Sequence, residues 1–368
     1  MSKLVIDCLS FHEEKQFSYR VYIRNLIDYF FQNRPLVNFE VIILVFDISQ
    51  KKYFEKYVSK FVLKGYKFNN PVHKYLIQSD LPRSLNLVEQ DLILFPGNYT
   101  SWSKKCKQLL VIHDLAFLHN EVMNSVLMRL QRKTFTPISL KNADRIVAIS
   151  DFTRRELIES YKVDQAKISV IYNHFNFEKF LSYQKFDQPI YSYFISVCSS
   201  APYKNSITLL KAFNIYCLEK GSFHLVVVGA LDSSNKECFK YYQSLPPFVR
   251  EKIHIYSHIS DTHLGSLYKN ASAFISATLY EGLGMPIVEA MYHGIPAILS
   301  DLSICREVSL NLAYYFESYD FMKLKELMAM CEMEPTVKRN YSNQISQVYS
   351  SQNTVAKYIE IINLLYEE

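Results

Sequence analysis

Short apolar runs alternate with amphipathic stretches along nearly the whole chain, the pattern of parallel strands wrapped by helices. In the first half it predicts strands at Leu4–Ile6, Val41–Phe46, Leu92–Phe95, Leu109–Ile112, Arg145–Ile149 and Ile168–Ile171, with helices near Tyr19–Phe31 and Tyr53–Leu63. Residues 182–188 are polar and aromatic without a period and read as a linker. Alternation then restarts with strands at Tyr193–Val197, Phe223–Val228, Ile253–Tyr256, Phe274–Ser276 and Ala297–Leu299. Helices are predicted near Ile207–Leu218 and Thr262–Asn270, from Pro286 onward, and near Thr354–Tyr366. Two similar α/β halves are therefore expected, at residues 1–185 and 186–350, with residues 351–368 as a C-terminal helix crossing back to the N-terminal half.

Composition narrows the class. At 368 residues, 49% hydrophobic and 21% charged, the chain suits two globular domains of ordinary size. Its net charge of +5 is too small to argue for nucleic acid. No apolar run approaches the roughly eighteen residues of a membrane span, and Asp7 interrupts the first apolar run where a signal peptide would continue. Seven cysteines without a C-x-x-C pair fit reduced thiols, so a cytoplasmic location is expected.

The chemistry is expected at Tyr280–Ala290, where a strand passes through a loop into a helix that Pro286 opens. Proline fits a first helical turn because the N–H it lacks has no intrahelical partner there. Gly282 and Gly284 let a ligand approach the backbone, and free amides with the positive end of the helix dipole favour an anionic or hydroxyl-rich ligand. Glu281 in the loop and Glu289, expected in the first helical turn, would accept hydrogen bonds from sugar hydroxyls beside phosphates. The plainer reading is a tight turn and a dipole partner. Other candidates follow strands: His113 and Asp114 after Leu109–Ile112, Lys204 between a strand and a helix, and Gly229 after Leu225–Val228. Those positions are the usual ligand edge of doubly wound sheets. His254, His258 and His263 have no cysteine or carboxylate to complete a metal site, and none is expected.

Several segments in order resemble the retaining family-4 (group 1) glycosyltransferases of GT-B fold: 111–115, 142–150, 203–205 with Ala212–Phe213, 225–229, and 279–282 through Gly294–Pro296. Glu281 and Glu289 reproduce that family's E-x7-E motif. The resemblance implies two Rossmann-like domains facing across a cleft. It also implies transfer of a hexose, with mannose favoured, from a nucleotide-diphosphate sugar, keeping the anomeric configuration. The acceptor would be a hydroxyl of a glycan or lipid-linked glycan in bacterial surface polysaccharide synthesis. By the same resemblance Glu289 would hold the ribose, while Glu281 and the amides of Gly282, Leu283, Gly284 and Met285 would hold the donor sugar, with Gly229 beside them. Lys204 would neutralise the leaving diphosphate, and His113 would sit by the transferred sugar, with Asp114 and Arg20 on the acceptor side. Neither cofactor nor metal is implied, and the chain has no Asp-x-Asp pair.

Two positions depart from the family. Tyr203 stands where an arginine often precedes the lysine, and residues 17–22 contain no glycine where a glycine-rich loop is usual. A catalytically weakened glycan-binding or partner subunit is thus the rival reading. An oxidoreductase is disfavoured, because Ile287 stands where the third glycine of G-x-G-x-x-G belongs. Phe54, Tyr57, Val58, Phe61 and Val62 share one face of the helix predicted near residues 53–63, with Lys56, Lys60 and Lys64 opposite. That face predicts either weak contact with the inner surface of the cytoplasmic membrane or simple packing on the sheet.

Overall fold

A computed structural model describes residues 2–9, 18–33, 39–45, 54, 57, 62–65, 81–119, 122, 125–175, 177, 189–229, 231, 235–257, 259–334 and 341–367. The chain forms two compact units. The first comprises Met1–Leu118, Ser125–Phe175 and Tyr349–Glu368, and the second His119–Asn124 and Asn176–Val348. Residues 182–188, predicted as a linker, lie outside the described residues.

The first unit holds a parallel sheet of order β3-β2-β1-β4-β5-β6-β7. Its strands are β1 (Ser2–Cys8), β2 (Phe39–Val45), β3 (Val62–Gly65), β4 (Leu92–Phe95), β5 (Lys107–Ile112), β6 (Arg145–Ala148) and β7 (Ile168–Val170). Strands such as Leu92–Phe95 are buried along their whole length, as expected when helices cover both faces of a parallel sheet. Helices α1 (Ser18–Asn33), α2 (Val126–Asn142), α3 (Asp151–Tyr161) and α12 (Ser351–Glu367) belong to this unit. Buried Val355, Tyr358, Ile362 and Leu365 dock α12, and the Tyr358 and Tyr22 hydroxyls hydrogen-bond to each other.

The helix predicted near 53–63 gives way to a strand at its end. Val62 and Leu63 belong to β3, whose register sets Ile42 opposite Val62, so the outer edge of β2 takes a hydrogen-bonded partner. Phe54 and Tyr57 are each 2% exposed, with Tyr57 Oη donating to Asp28 Oδ1 at 2.7 Å. Those two rings are packed inward and are not offered to a lipid surface. Most other residues of that face lie outside the described residues.

The second unit holds a parallel sheet of order β10-β9-β8-β11-β12-β13. Its strands are β8 (Tyr193–Cys198), β9 (His224–Gly229), β10 (Ile253–Tyr256), β11 (Ala273–Ser276), β12 (Ala297–Ser300) and β13 (Tyr314–Phe316). The helices are α4 (Ser206–Leu218), α5 (Lys236–Ser244), α6 (Pro247–Arg250), α7 (Asp261–Asn270), α8 (Met285–Tyr292), α9 (Ser303–Val308), α10 (Phe321–Met333) and α11 (Ser342–Tyr349). Phe194, Leu225, Val227, Ile275 and Ile298 from the sheet meet Leu210, Phe213, Leu324 and Met328 from α4 and α10 in one core.

In each sheet the first strand lies inside, the next two on one side and the later strands on the other. The winding therefore reverses between β1 and β4 and again between β8 and β11. Loops leaving the carboxyl ends of the two strands at such a reversal flank a crevice, the usual ligand position in doubly wound sheets.

Candidate active site

In the second unit the loops after β8 and β11 are bound to each other. Pro202–Lys204 makes a single 3₁₀ turn, and the Tyr203 carbonyl accepts from Leu279 N at 2.7 Å and from Thr278 Oγ1 at 3.3 Å. Thr278 Oγ1 also lies 2.9 Å from the Tyr280 carbonyl. Asn205 follows in the left-handed region at φ 51°, which asparagine tolerates better than most residues. Its Nδ2 donates to the Ser318 carbonyl at 2.7 Å and its Oδ1 accepts from Thr208 Oγ1 at 2.9 Å. The turn that carries Lys204 is thus held from both sides.

This geometry brings Lys204 and Glu281 together. The ammonium Nζ is 2.5 Å from Glu281 Oε1, with the two side chains 16% and 13% exposed. Burial alone would lower the Lys204 pKa, but the Glu281 charge and hydrogen bond outweigh it and raise the pKa, so the ammonium stays charged. The Lys204 Nζ also lies 5.3 Å from the centroid of the Tyr203 ring. Burial, reinforced by the Glu281 charge, pushes the Cys305 thiol of α9 well up, and burial raises Cys198. Both sulfurs stay protonated and serve as packing rather than nucleophiles.

The loop enters α8 through Gly284, whose φ of 81° puts it in the left-handed region. In the first turn Pro286 brings no N–H and Ile287 N donates to the Gly284 carbonyl at 2.9 Å, and no side chain caps that end. Pro286 occupies the first turn, as its position predicts. Glu289, expected in that turn, is the fifth helical residue, because the helix begins at Met285. It is 6% exposed and accepts from Tyr268 Oη of α7 at 3.3 Å. Burial, with the charge and hydrogen bond of Glu289, raises the Tyr268 phenol far above its ordinary value and keeps it a donor. Nothing in the sequence spacing marks Tyr268, since its link to Glu289 exists only once α7 and α8 pack.

Gly229 ends β9 at φ 121°, and a Cβ built there would lie 1.8 Å from the Cys198 carbonyl oxygen of β8. The sheet itself therefore requires glycine at this position.

His113 and Asp114 stand after β5 in the first unit. His113 N donates to Asn98 Oδ1 at 3.0 Å, and its Nε2 lies 2.7 Å from the Pro96 carbonyl. A carbonyl only accepts, so Nε2 carries the proton and Nδ1 is the acceptor nitrogen of the neutral ring. Burial lowers the His113 pKa and favours that neutral form, against smaller opposing effects of Pro96 and Asp114. Tyr22 of α1 meets the ring edge-on at 4.9 Å. Asp114 turns away into local structure, its Oδ1 accepting from Ala116 N at 3.1 Å and lying 3.4 Å from Arg132 Nη1. Arg20 lies in the first turn of α1, with its side chain outside the described residues.

His254, weighed above as a metal ligand, faces His224 Nδ1 through its Nε2 at 2.8 Å, and Tyr191 stacks on both rings. His258 lies outside the described residues. Among the described residues no three His, Cys, Asp or Glu side chains cluster as a metal site, and no helix is long and apolar enough to cross a membrane.

Residues 20–179 match Glycosyltransferase Family 4, and residues 183–348 match Glycosyl transferases group 1. The chain belongs to the group 1 glycosyltransferases of GT-B fold. Among its curated relatives, the O-antigen chain mannosyltransferase RfbU of Salmonella typhimurium is 26% identical over 246 residues, 65% of each chain. The serotype-specific mannosyltransferase WbdA of Escherichia coli is 31% identical over 124 residues, which is 33% of this chain and 15% of that one. The matches thus span under two thirds of these curated relatives. A glycosyltransferase of Rickettsia africae shares the fold with TM-score 0.71 at 17% identity, over 99% of this chain and 98% of that one. Anabaena Alr3699/HepE, solved in complex with UDP-glucose, does so with TM-score 0.72 at 14% identity, over 99% and 100%.

Proposed function

We propose that this chain is a retaining hexosyltransferase that moves a hexose, with mannose favoured, from a nucleotide-diphosphate sugar to a hydroxyl of a glycan or lipid-linked glycan in surface polysaccharide synthesis. The observation that carries the reading is the part-buried Lys204–Glu281 pair at the β8/β11 reversal, just before the N-terminus of α8. Family membership supplies the reaction class, and the mannosyltransferases RfbU and WbdA among the relatives favour mannose.

The pair is suited to exchange. Without donor, Lys204 and Glu281 neutralise each other at little exposure. A diphosphate entering the crevice takes over the ammonium, and the released carboxylate accepts from the sugar hydroxyls. The N-terminal end of the α8 dipole adds a fixed positive field at the phosphates. Charge grows on the departing diphosphate as the anomeric bond breaks, and stabilising it is usually the largest single contribution to such a transfer. Glu289, held by Tyr268, would accept from the ribose hydroxyls. His113, neutral with Nδ1 as acceptor, would receive a hydrogen bond from the transferred sugar.

Release of nucleoside diphosphate should be measured across a panel of GDP- and UDP-linked hexoses. With the active donor, Glu281→Gln should lower kcat by roughly 10²–10³-fold at a temperature where its melting curve shows it fully folded. Unchanged turnover in that variant would sink the assignment. Tyr203 in place of the arginine favours a second reading, a partner subunit that binds glycan without transfer. Failure of every donor to release nucleotide, with glycan binding retained, would select it.

A further inference from the structure

Helix α2 turns an apolar stripe toward solvent. Val126, Leu127 and Leu130 are 68%, 77% and 63% exposed, and Met128 and Ile138 are also exposed. Leu127, Leu130, Thr134 and Ile138 follow helical spacing along one face, while Thr136, Ser139 and Leu140 face the protein. Trp102, itself 45% exposed, extends this surface by stacking on Phe135 at 5.8 Å. Its loop is fixed to the helix: Asn142 Nδ2 donates to the Ser101 carbonyl at 3.3 Å, and Thr100 N to Ser139 Oγ at 3.2 Å.

The two segments that carry the stripe are cationic. Residues 101–107 and 126–142 carry Lys104, Lys105, Lys107, Arg129, Arg132, Lys133 and Lys141, with no aspartate or glutamate. Of these, Arg132 is paired with Asp114. Lys104 Nζ reaches the Lys141 carbonyl at 3.4 Å, which keeps its charge at the edge of the stripe.

We propose that this face of α2, with Trp102, docks on an anionic lipid bilayer. The apolar stripe would enter the interface, the lysines would meet acidic headgroups, and the indole would sit at headgroup depth. A second copy of the chain fits less well, since a two-fold contact would set this cationic patch against itself. The proposal is independent of the transferase reading and can be tested without turnover.

Trp102 is the only tryptophan in the chain, so its emission reports on this face alone. Vesicles of phosphatidylcholine with phosphatidylglycerol should shift the emission to the blue and carry the protein upward in flotation. Pure phosphatidylcholine vesicles should do neither, and 0.5 M salt should weaken the effect. Leu127→Ser with Leu130→Ser, checked for an unchanged melting curve, should reduce partitioning by at least about tenfold. Lys104→Gln with Lys105→Gln and Lys133→Gln should also reduce it, and should remove most of its salt dependence. No shift with acidic vesicles, or equal partitioning of the leucine variant, would overturn the proposal. So would a concentration-dependent dimer that the leucine variant abolishes, because the face would then belong to a second copy.

Discussion

At Gly229 a missing side chain is a steric demand of the sheet. An alanine there would combine a left-handed φ with a Cβ 1.8 Å from a backbone oxygen, and that oxygen cannot swing away as a side chain could. Gly229→Ala should therefore cost about 2–4 kcal/mol and lower the melting temperature whether or not donor is present. Gly284→Ala presents a milder case, since its Cβ would meet the flexible end of Ile287 at 2.9 Å. About 1 kcal/mol is expected there, mostly for the positive φ. Calorimetry of both variants would check the order, and equal costs would contradict it. The Lys204–Glu281 pair gives a second residue-scale prediction. Lys204→Met leaves a carboxylate at 13% exposure without its cation and should cost about 3 kcal/mol, whereas Lys204→Met with Glu281→Gln should recover much of that loss. Urea unfolding of the two single variants and the double would measure the coupling, and simple additivity would mean that the pair contributes nothing to the fold.

Elements decide how those residues are presented. The turn before α4 depends on Asn205, whose positive φ and two side-chain hydrogen bonds make separable contributions. Asn205→Gly keeps the backbone conformation and loses only the bonds, while Asn205→Ala loses both. The alanine variant should be less stable than the glycine variant by about 0.5–1 kcal/mol, and both should lower kcat by displacing Lys204. Comparing melting temperatures with nucleotide release checks this; a glycine variant less stable than the alanine would refute the backbone argument. Most parallel strands were legible because burial on both faces leaves short continuous apolar runs, as in Leu92–Phe95. Val62–Leu63 misled, since two apolar residues at the end of a helical pattern do not show that β2 needs a partner. Tyr314–Phe316 is three residues long, too short to carry a period. α2 escaped because its apolar residues point outward and Pro137 lies inside it, where proline reads as a breaker. At the site, the loop glycines, Pro286 and the two glutamates were visible in sequence. The contact between Lys204 and Glu281, 77 positions apart, depends on the strand order, which puts β8 beside β11.

The molecule as a whole should feel pH through a histidine far in sequence from every motif. His174, 2% exposed in the first unit, is pushed down by burial to about 4 from an ordinary 6.5, against smaller upward effects of Asn25 and Asp28. Between those values the unfolded chain binds the proton and the folded chain does not, so folded-state stability falls as pH falls through that window. The loss from this group should reach about 2 kcal/mol at pH 5 relative to pH 7.5, and His113, also lowered by burial, acts in the same direction. A chain of two compact units need not unfold in one step, so a global signal could blur the effect. Trp102 removes that ambiguity: it belongs to the same unit as His174 and is the only tryptophan. Urea unfolding followed by its emission should therefore show a lower midpoint at pH 5 than at pH 7.5, with His174→Gln flattening the difference. An equal pH response in that variant would assign the effect to other groups.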